Sequence, residues 1–249
     1  MEETANNGEK SNPLLTIVVP AYNEGKRLPA TLPQIIHYVN NQDFGVEVIV
    51  VNNNSSDDTR AIAEKFAADY DCIKVMDETR QGKGAAVKTG MLAGTGDYLF
   101  IADADLSMPI NQVGKFLPPQ SGDYDVAIGS REAPGAVRYD EPEYRHIMGR
   151  VFNLIVRWFA VPGFHDTQAG FKCFTREAAQ RVFSKQTIDG WAFDVEVLYI
   201  AQKLGYKILE VPIEWHYQPN SRINPLQSSY EMFAQVFEIR RKGREGIYD

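Results

Sequence analysis

"YLFIADADLSMP", residues 98–109, is the stretch on which the fold turns. An apolar run from Tyr98 to Ala102 stops at two aspartates, Asp103 and Asp105, one residue apart. The run has the length of a buried strand. Its lack of polar alternation is what a parallel sheet covered on both faces asks for. In such sheets ligands bind beyond the carboxyl ends of the strands, so the aspartates stand where a site belongs. Side chains two residues apart on an extended backbone share a face. Two carboxylates so placed repel until one takes up a proton or a cation joins them. Mg²⁺ is commonly held by one or two carboxylates together with phosphate oxygens of a substrate. Taken alone, the pair fits equally well as two caps for a helix beginning near Pro109.

The flanking sequence supplies the rest of the sheet. "LLTIVVP" (14–20), "VEVIVVN" (46–52), "CIKVMD" (72–77) and "DYLFIAD" (97–103) read as strands. Between them, 29–42, 56–70 and 82–94 carry helical spacing, the second with Ser56 placed to cap and Asp57 and Asp58 in its first turn. This order predicts an α/β fold, a mostly parallel central sheet with helices on both faces. Beyond it, "DYDVAIGSR" (123–131) and "AGFKCF" (169–174) read as strands, and 132–144 as a loop rich in Gly, Pro and charge. Helices are expected near 145–160, 175–183 and 192–204, and a strand at 206–215. The expected organisation is a disordered polar tail at 1–13, one domain at 14–224, and a C-terminal amphipathic helix with a basic tail at 225–249.

Composition narrows the class. The 249 residues suffice for a full core, and a net charge of −7 argues against nucleic acid as a partner. Cys72 and Cys173 stand far apart with no metal-ligand spacing, which suits a reduced, cytoplasmic chain. The start is polar and acidic, without a signal segment, and no run of 18 apolar residues occurs. Neither G-x-G-x-x-G nor G-x-x-x-x-G-K-[ST] is present. "QGKGAA" (81–86) is the nearest approach to a phosphate loop; Lys83 there is a phosphate contact or part of a flexible helix start.

In order, "TIVVPAYNE", "VIVVNNNSSDDT", "GKGAA", "DYLFIADADLSMP" and "GSR" resemble the inverting family-two glycosyltransferases of the GT-A fold. "DTQAGFKCFTREAA" (166–179) and "GWAFDVEVLYIAQ" (190–202) resemble the polyprenyl-phosphate branch of that family, the dolichyl-phosphate β-glucosyltransferases and dolichyl-phosphate mannose synthases. The likeness runs from residue 14 to about 224.

The resemblance implies a site. Pro20, Tyr22 and Glu24 would line the nucleotide pocket, with Val51 and Asn53 beside the base. Lys83 would touch the donor phosphates. Asp103, Ala104 and Asp105 would carry a divalent metal, Mg²⁺ or Mn²⁺, and the diphosphate, with Ser107 near the metal. Arg131 would face the phosphates of donor and acceptor, Arg145 the acceptor phosphate, and Arg222 the donor diphosphate. Relatives read "DDGS" where this chain has "NNNS" (52–55). An Asn carbonyl accepts from the single N–H of uracil, which favours UDP over GDP. The implied reaction is metal-dependent transfer of glucose from UDP-glucose to a polyprenyl phosphate. GDP-mannose, or a soluble acceptor, stands as the alternative.

A phosphate acceptor is already anionic, so the lack of a histidine in an obvious base position is no obstacle. A lipid acceptor raises peripheral membrane contact. One segment for it is the helix near 146–161, with Arg150 and Arg157 to reach headgroups. The other is the C-terminal helix, where Leu226, Tyr230, Phe233 and Phe237 precede a basic cluster. The bland reading of that helix is packing on the sheet. Trp191, Phe193, Val195, Leu198 and Tyr199 read as core; Asp194, Glu196 and Asp166 must find partners. A nucleotidyltransferase would need a glycine-rich basic loop after the first strand, which "AYNEGKRLP" lacks. A non-catalytic nucleotide-sugar binder would have no need of both aspartates.

Overall fold

The computed structural model describes residues 13–159, 161–218 and 225–249. β1 (Leu15–Ala21), β2 (Val46–Asn52), β3 (Ile73–Asp77) and β4 (Tyr98–Ile101) form the parallel half of a seven-stranded sheet. The other strands of that sheet are β5 (Val126–Ser130), β7 (Lys172–Thr175) and β8 (Ile208–Pro212). The order is β3-β2-β1-β4-β7-β5-β8, and only β7 runs against its neighbours. β1 and β2 are buried almost throughout, as their unbroken apolar runs require. The expected α/β architecture is present, with helices on both faces.

Alternation along β1 sorts the two layers. Leu15, Ile17, Val19 and Ala21 face a core shared with α1 (Leu28–Asn40), α2 (Thr59–Asp69) and a 3-10 turn at Ile110–Phe116. Val18, with Ile49, Val51 and Leu99, faces α3 (Lys83–Ala93), α5 (Arg176–Lys185) and α6 (Phe193–Lys203). In α1 the residues buried at i, i+4, i+7 and i+8 are Leu28, Leu32, Ile35 and Ile36, one helical stripe. α7 (Pro225–Arg244) adds Val236 and Ile239 to the second core, while Phe237 faces outward. α4 (Glu143–Phe159) completes the set.

Three local expectations need correction. α2 begins at Thr59, not at Ser56; the Ser56 amide and hydroxyl both donate to Asn23 Oδ1 across the β1 loop, and Asp57 Oδ1 accepts from the Thr59 amide. The strand expected over 206–215 is two strands. Pro212 ends the pairing of β8 with β5, and β9 (Glu214–His216) pairs instead with β6 (Val137–Tyr139) inside the segment expected as a loop. The aspartate pair does not lie on extended backbone: β4 ends at Ile101, and Asp103–Asp105 form a turn closed by Leu106, whose φ is 44° and whose amide donates to the Asp103 carbonyl.

Candidate active site

The carboxyl ends of β1, β2, β4 and β5 open on one edge of the sheet. Because β7 runs the other way, its entry segment, Gln168–Phe171, reaches the same edge. Together they enclose a cleft of about 650 Å³, a size that suits a small-molecule site.

The turn at its floor is built to present carboxylates. The Thr31 hydroxyl donates to the Ala104 carbonyl at 2.6 Å, tying the turn to α1. The Ser107 amide and hydroxyl donate to Asp105 Oδ1 at 3.0 and 2.8 Å. Gly170 presses on Asp103 so closely that a Cβ would fall within the carboxylate. Lys83 approaches Asp103 Oδ1 at 2.6 Å, with the ring centres of Trp191 and Phe193 5.6 and 5.9 Å from its ammonium. Burial, and next the Asp103 charge, push the Asp105 carboxyl above its usual range. Burial works against the Lys83 charge, but Asp103, Asp194 and Asp105 outweigh it and raise the ammonium's pKa.

The residues present fit a hard divalent cation. Asp103 and Asp105 supply oxygen donors, and among the described residues no hydrogen bond reaches Asp105 Oδ2. Among the described residues no three His, Cys, Asp or Glu side chains are placed to hold one metal ion together. A metal at the pair would therefore draw its remaining ligands from water and substrate phosphate, the usual manner of Mg²⁺.

Pro20, Tyr22, Glu24, Asn53, Lys83, Asp103, Ala104, Asp105, Ser107 and Arg131 all line this cleft. Glu24 also holds Arg27 at 3.1 Å. Val51 does not line it; fully buried, it packs beneath against α3. Arg222 and the side chain of Arg145 lie outside the described residues, as do those of Arg157, Leu226, Tyr230 and Phe233.

Asn53 has another employment than the one expected. Its amide donates to the carbonyls of Glu78 at 3.2 Å and Arg80 at 2.7 Å, while its Oδ1 accepts from the Gly82 amide at 2.8 Å. It staples the loop that carries Lys83. The preference for UDP drawn from its carbonyl thus loses its footing. An aspartate at this position could not donate either bond.

Arg131 is neither a surface ion pair nor a loose cation. Asp166 accepts from its Nε at 2.7 Å, its Nη2 at 3.1 Å and its backbone amide at 3.1 Å. Burial opposes ionisation of Asp166, but Arg131 overrides it and holds the carboxyl down to about 2. Trp215 stacks beside the same guanidinium, its ring centre 5.4 Å away.

Other lining residues escaped the sequence. Gly170 carried no signal beyond lying in "QAGF". Trp191, expected as core, is 40% exposed and forms a wall; its place between Gly190 and an acidic helix start was the available hint. Asp194 lines the cleft and is neutralised by the fully buried Lys172 at 2.5 Å. Glu196 is structural: it accepts from the Thr187 and Ile188 amides and from the Tyr248 hydroxyl.

The cleft is framed by a mostly parallel sheet with an aspartate-bearing turn at its carboxyl edge and one reversed strand. The glycosyl transferase family 2 model matches residues 16–183, and the chain belongs to that family. It is a glycosyltransferase. The dolichyl-phosphate beta-glucosyltransferase of Dictyostelium discoideum is 34% identical over 260 residues, covering 96% of this chain and 79% of that protein. The dolichyl-phosphate beta-glucosyltransferase of Homo sapiens is 35% identical over 249 residues, covering 94% and 77%. Among solved structures, glucosyl-3-phosphoglycerate synthase from Mycobacterium tuberculosis in complex with UDP superposes with a TM-score of 0.65 at 20% identity, over 91% of this chain and 80% of that one. The same synthase with Mn²⁺, UDP-Glc and glycerol 3-phosphate gives 0.62 at 20% identity, over 95% and 82%. These likenesses show the GT-A fold.

Proposed function

We propose that this glycosyltransferase moves glucose from UDP-glucose to a polyprenyl phosphate, with inversion, using Mg²⁺ or Mn²⁺ at Asp103 and Asp105. The observation that carries the reading is the convergence of that carboxylate pair with Lys83 and Arg131 in one cleft. The choice of glucose and of a lipid phosphate is supported by the names of the curated relatives, and UDP by the neighbour with UDP-Glc.

The metal would stabilise charge developing on the departing diphosphate. Lys83 adds a second cation on the same side. Arg131, kept charged and oriented by Asp166, holds the acceptor phosphate for attack from the opposite face, and the family resemblance assigns Arg145 to the same phosphate. Arg222 assists the leaving diphosphate. The acceptor needs no base, and among the described residues no histidine lines the cleft. His146 pairs with Glu132, His165 with Glu210, and His216 stacks on Tyr139.

The lipid acceptor has a matching surface. Tyr144, Ile147 and Leu154 of α4 are 61%, 63% and 54% exposed, and Met148 of the same helix lines the cleft. No helix among the described residues is long and apolar enough to cross a membrane. The proposed contact is peripheral, on the cytoplasmic face, with α4 laid against the bilayer.

Transfer from radiolabelled UDP-glucose and GDP-mannose into an organic phase containing polyprenyl phosphate tests the proposal, run with Mg²⁺, with EDTA, and with Asp105→Ala. Glucose incorporation that EDTA and the variant abolish is the expected result. Mannose incorporation alone overturns the donor, and bound UDP-glucose without lipid product overturns the acceptor.

A further inference from the structure

Three carboxylates gather at the head of α3, and they are not neutralised alike. Asp194 has its own ammonium, the buried Lys172. Among the described residues Asp103 and Asp105 share a single cation, Lys83, in contact with the first and within electrostatic reach of the second. Its placement is set from the backbone up. Lys83 is the first residue of α3 and follows Gly82, whose φ of +143° favours glycine and whose missing side chain makes room for the Asp189 carbonyl. The ring centres of Trp191 and Phe193 lie 5.6 and 5.9 Å from the ammonium, which contacts Asp103.

The unit charges of Asp103, Asp105 and Lys83 sum to −1. With a bare divalent cation at the pair, Lys83 would face a like charge at close range in a poorly solvated cleft. Leaving Asp103 with nowhere to go would strand an unpaired ammonium. A diphosphate resolves both conflicts, because its oxygens accept charge-assisted hydrogen bonds from the displaced ammonium. We propose that Lys83 is a resident counter-ion that makes metal and nucleoside-diphosphate binding mutually dependent, yielding Asp103 to the metal only when a diphosphate arrives to receive the ammonium. This rests on the reading above of the aspartates as a metal and diphosphate site. Lys83 thereby has two partners in turn, and the coupling between ligands is reciprocal.

The test follows binding, not turnover. Mn²⁺ bound by the full chain is measured by electron paramagnetic resonance of the free ion, without UDP and with saturating UDP, corrected for Mn²⁺ held by UDP in solution. In the unaltered protein UDP tightens Mn²⁺ binding at least about tenfold. Lys83→Met keeps an apolar stem without the charge. It binds Mn²⁺ alone at least about tenfold more tightly than the unaltered protein, and UDP then adds less than about threefold. Circular dichroism checks its fold, and Lys83→Gln repeats the measurement. Equal Mn²⁺ affinity with and without UDP in the unaltered protein overturns the proposal, whatever the variants do. So does a folded Lys83→Met protein that binds bare Mn²⁺ no more tightly. Failure to bind Mn²⁺ even with UDP overturns the reading of the aspartate pair as well, which separates the two failures.

Discussion

Asn53 shows how a single side chain sets the shape of one wall of the cleft. Its two donated bonds and one accepted bond hold Glu78, Arg80 and Gly82 in one arrangement. Asn53→Asp removes both donors and turns a carboxylate toward two carbonyls. Each buried group left unsatisfied costs about 1–3 kcal/mol, so a loss of roughly 2–4 kcal/mol is expected in urea unfolding. At Gly170 the constraint is steric: Gly170→Ala forces its methyl onto Asp103. If the aspartate pair holds the cation as proposed, that variant is expected to keep its circular dichroism spectrum and lose at least about tenfold in Mn²⁺ affinity in the presence of UDP, since a displaced carboxylate no longer reaches the ion. The aspartates were legible from sequence because an apolar strand ended on them. The staple at Asn53 was not, because its partners come from a loop 25 or more residues away, and a short polar side chain carries no mark of what it will meet.

Between elements, ion pairs and capping carboxylates do the fastening. The Arg131–Asp166 pair joins the end of β5 to the segment leading into β7. Asp166 titrates at about 2 when folded, below its ordinary 3.8. Its charge therefore stabilises the fold fully above about pH 4, and the benefit is lost as pH falls through about 2. A depression of about two units corresponds to roughly 2–3 kcal/mol. Asp166→Asn should unfold more readily at neutral pH and show a shallower further loss between about pH 4 and 2. Glu78, held down to about 2 chiefly by its hydrogen bond to Arg80, titrates in the same window and keeps the slope from vanishing. Acid-titrated thermal melts read both quantities. On the opposite layer, Tyr248 donates to Glu196 at 2.7 Å, and Glu196 fixes the Thr187–Ile188 turn ahead of Trp191. Tyr248→Phe deletes only the hydroxyl, and a loss of roughly 1.5–3 kcal/mol is expected from thermal unfolding. The helices were legible from their local period and the first four strands from their unbroken apolar runs, both features of adjacent residues. The split of β8 from β9 was not, since Pro212 reads as one more residue of an apolar run until the partner β6 is known.

At the scale of the molecule, the sheet gathers every loop of the cleft on one edge and leaves α4 at its margin. If α4 meets the bilayer as proposed, Ile147→Glu combined with Leu154→Glu should weaken binding to phosphatidylglycerol vesicles at least about tenfold while leaving UDP binding unchanged, because each removes a large apolar contact from the interface. Vesicle sedimentation measures the first and calorimetry the second. The reversed strand has a consequence for synthesis. β4 acquires its second neighbour only when the chain has travelled on to Lys172, the partner of Ile101, and β5 waits for the same strand. Until then a growing chain carries two open strand edges around a missing one, both lined by apolar residues such as Phe100 and Ile128. Unpaired edges of that kind recruit other chains. A fragment ending at residue 170 is expected in the insoluble fraction where the full chain is not, although it contains both aspartates. The ribosome thus makes the aspartate pair early and the strand that closes the two open edges late, so a chaperone that binds exposed strands would act in the interval between them.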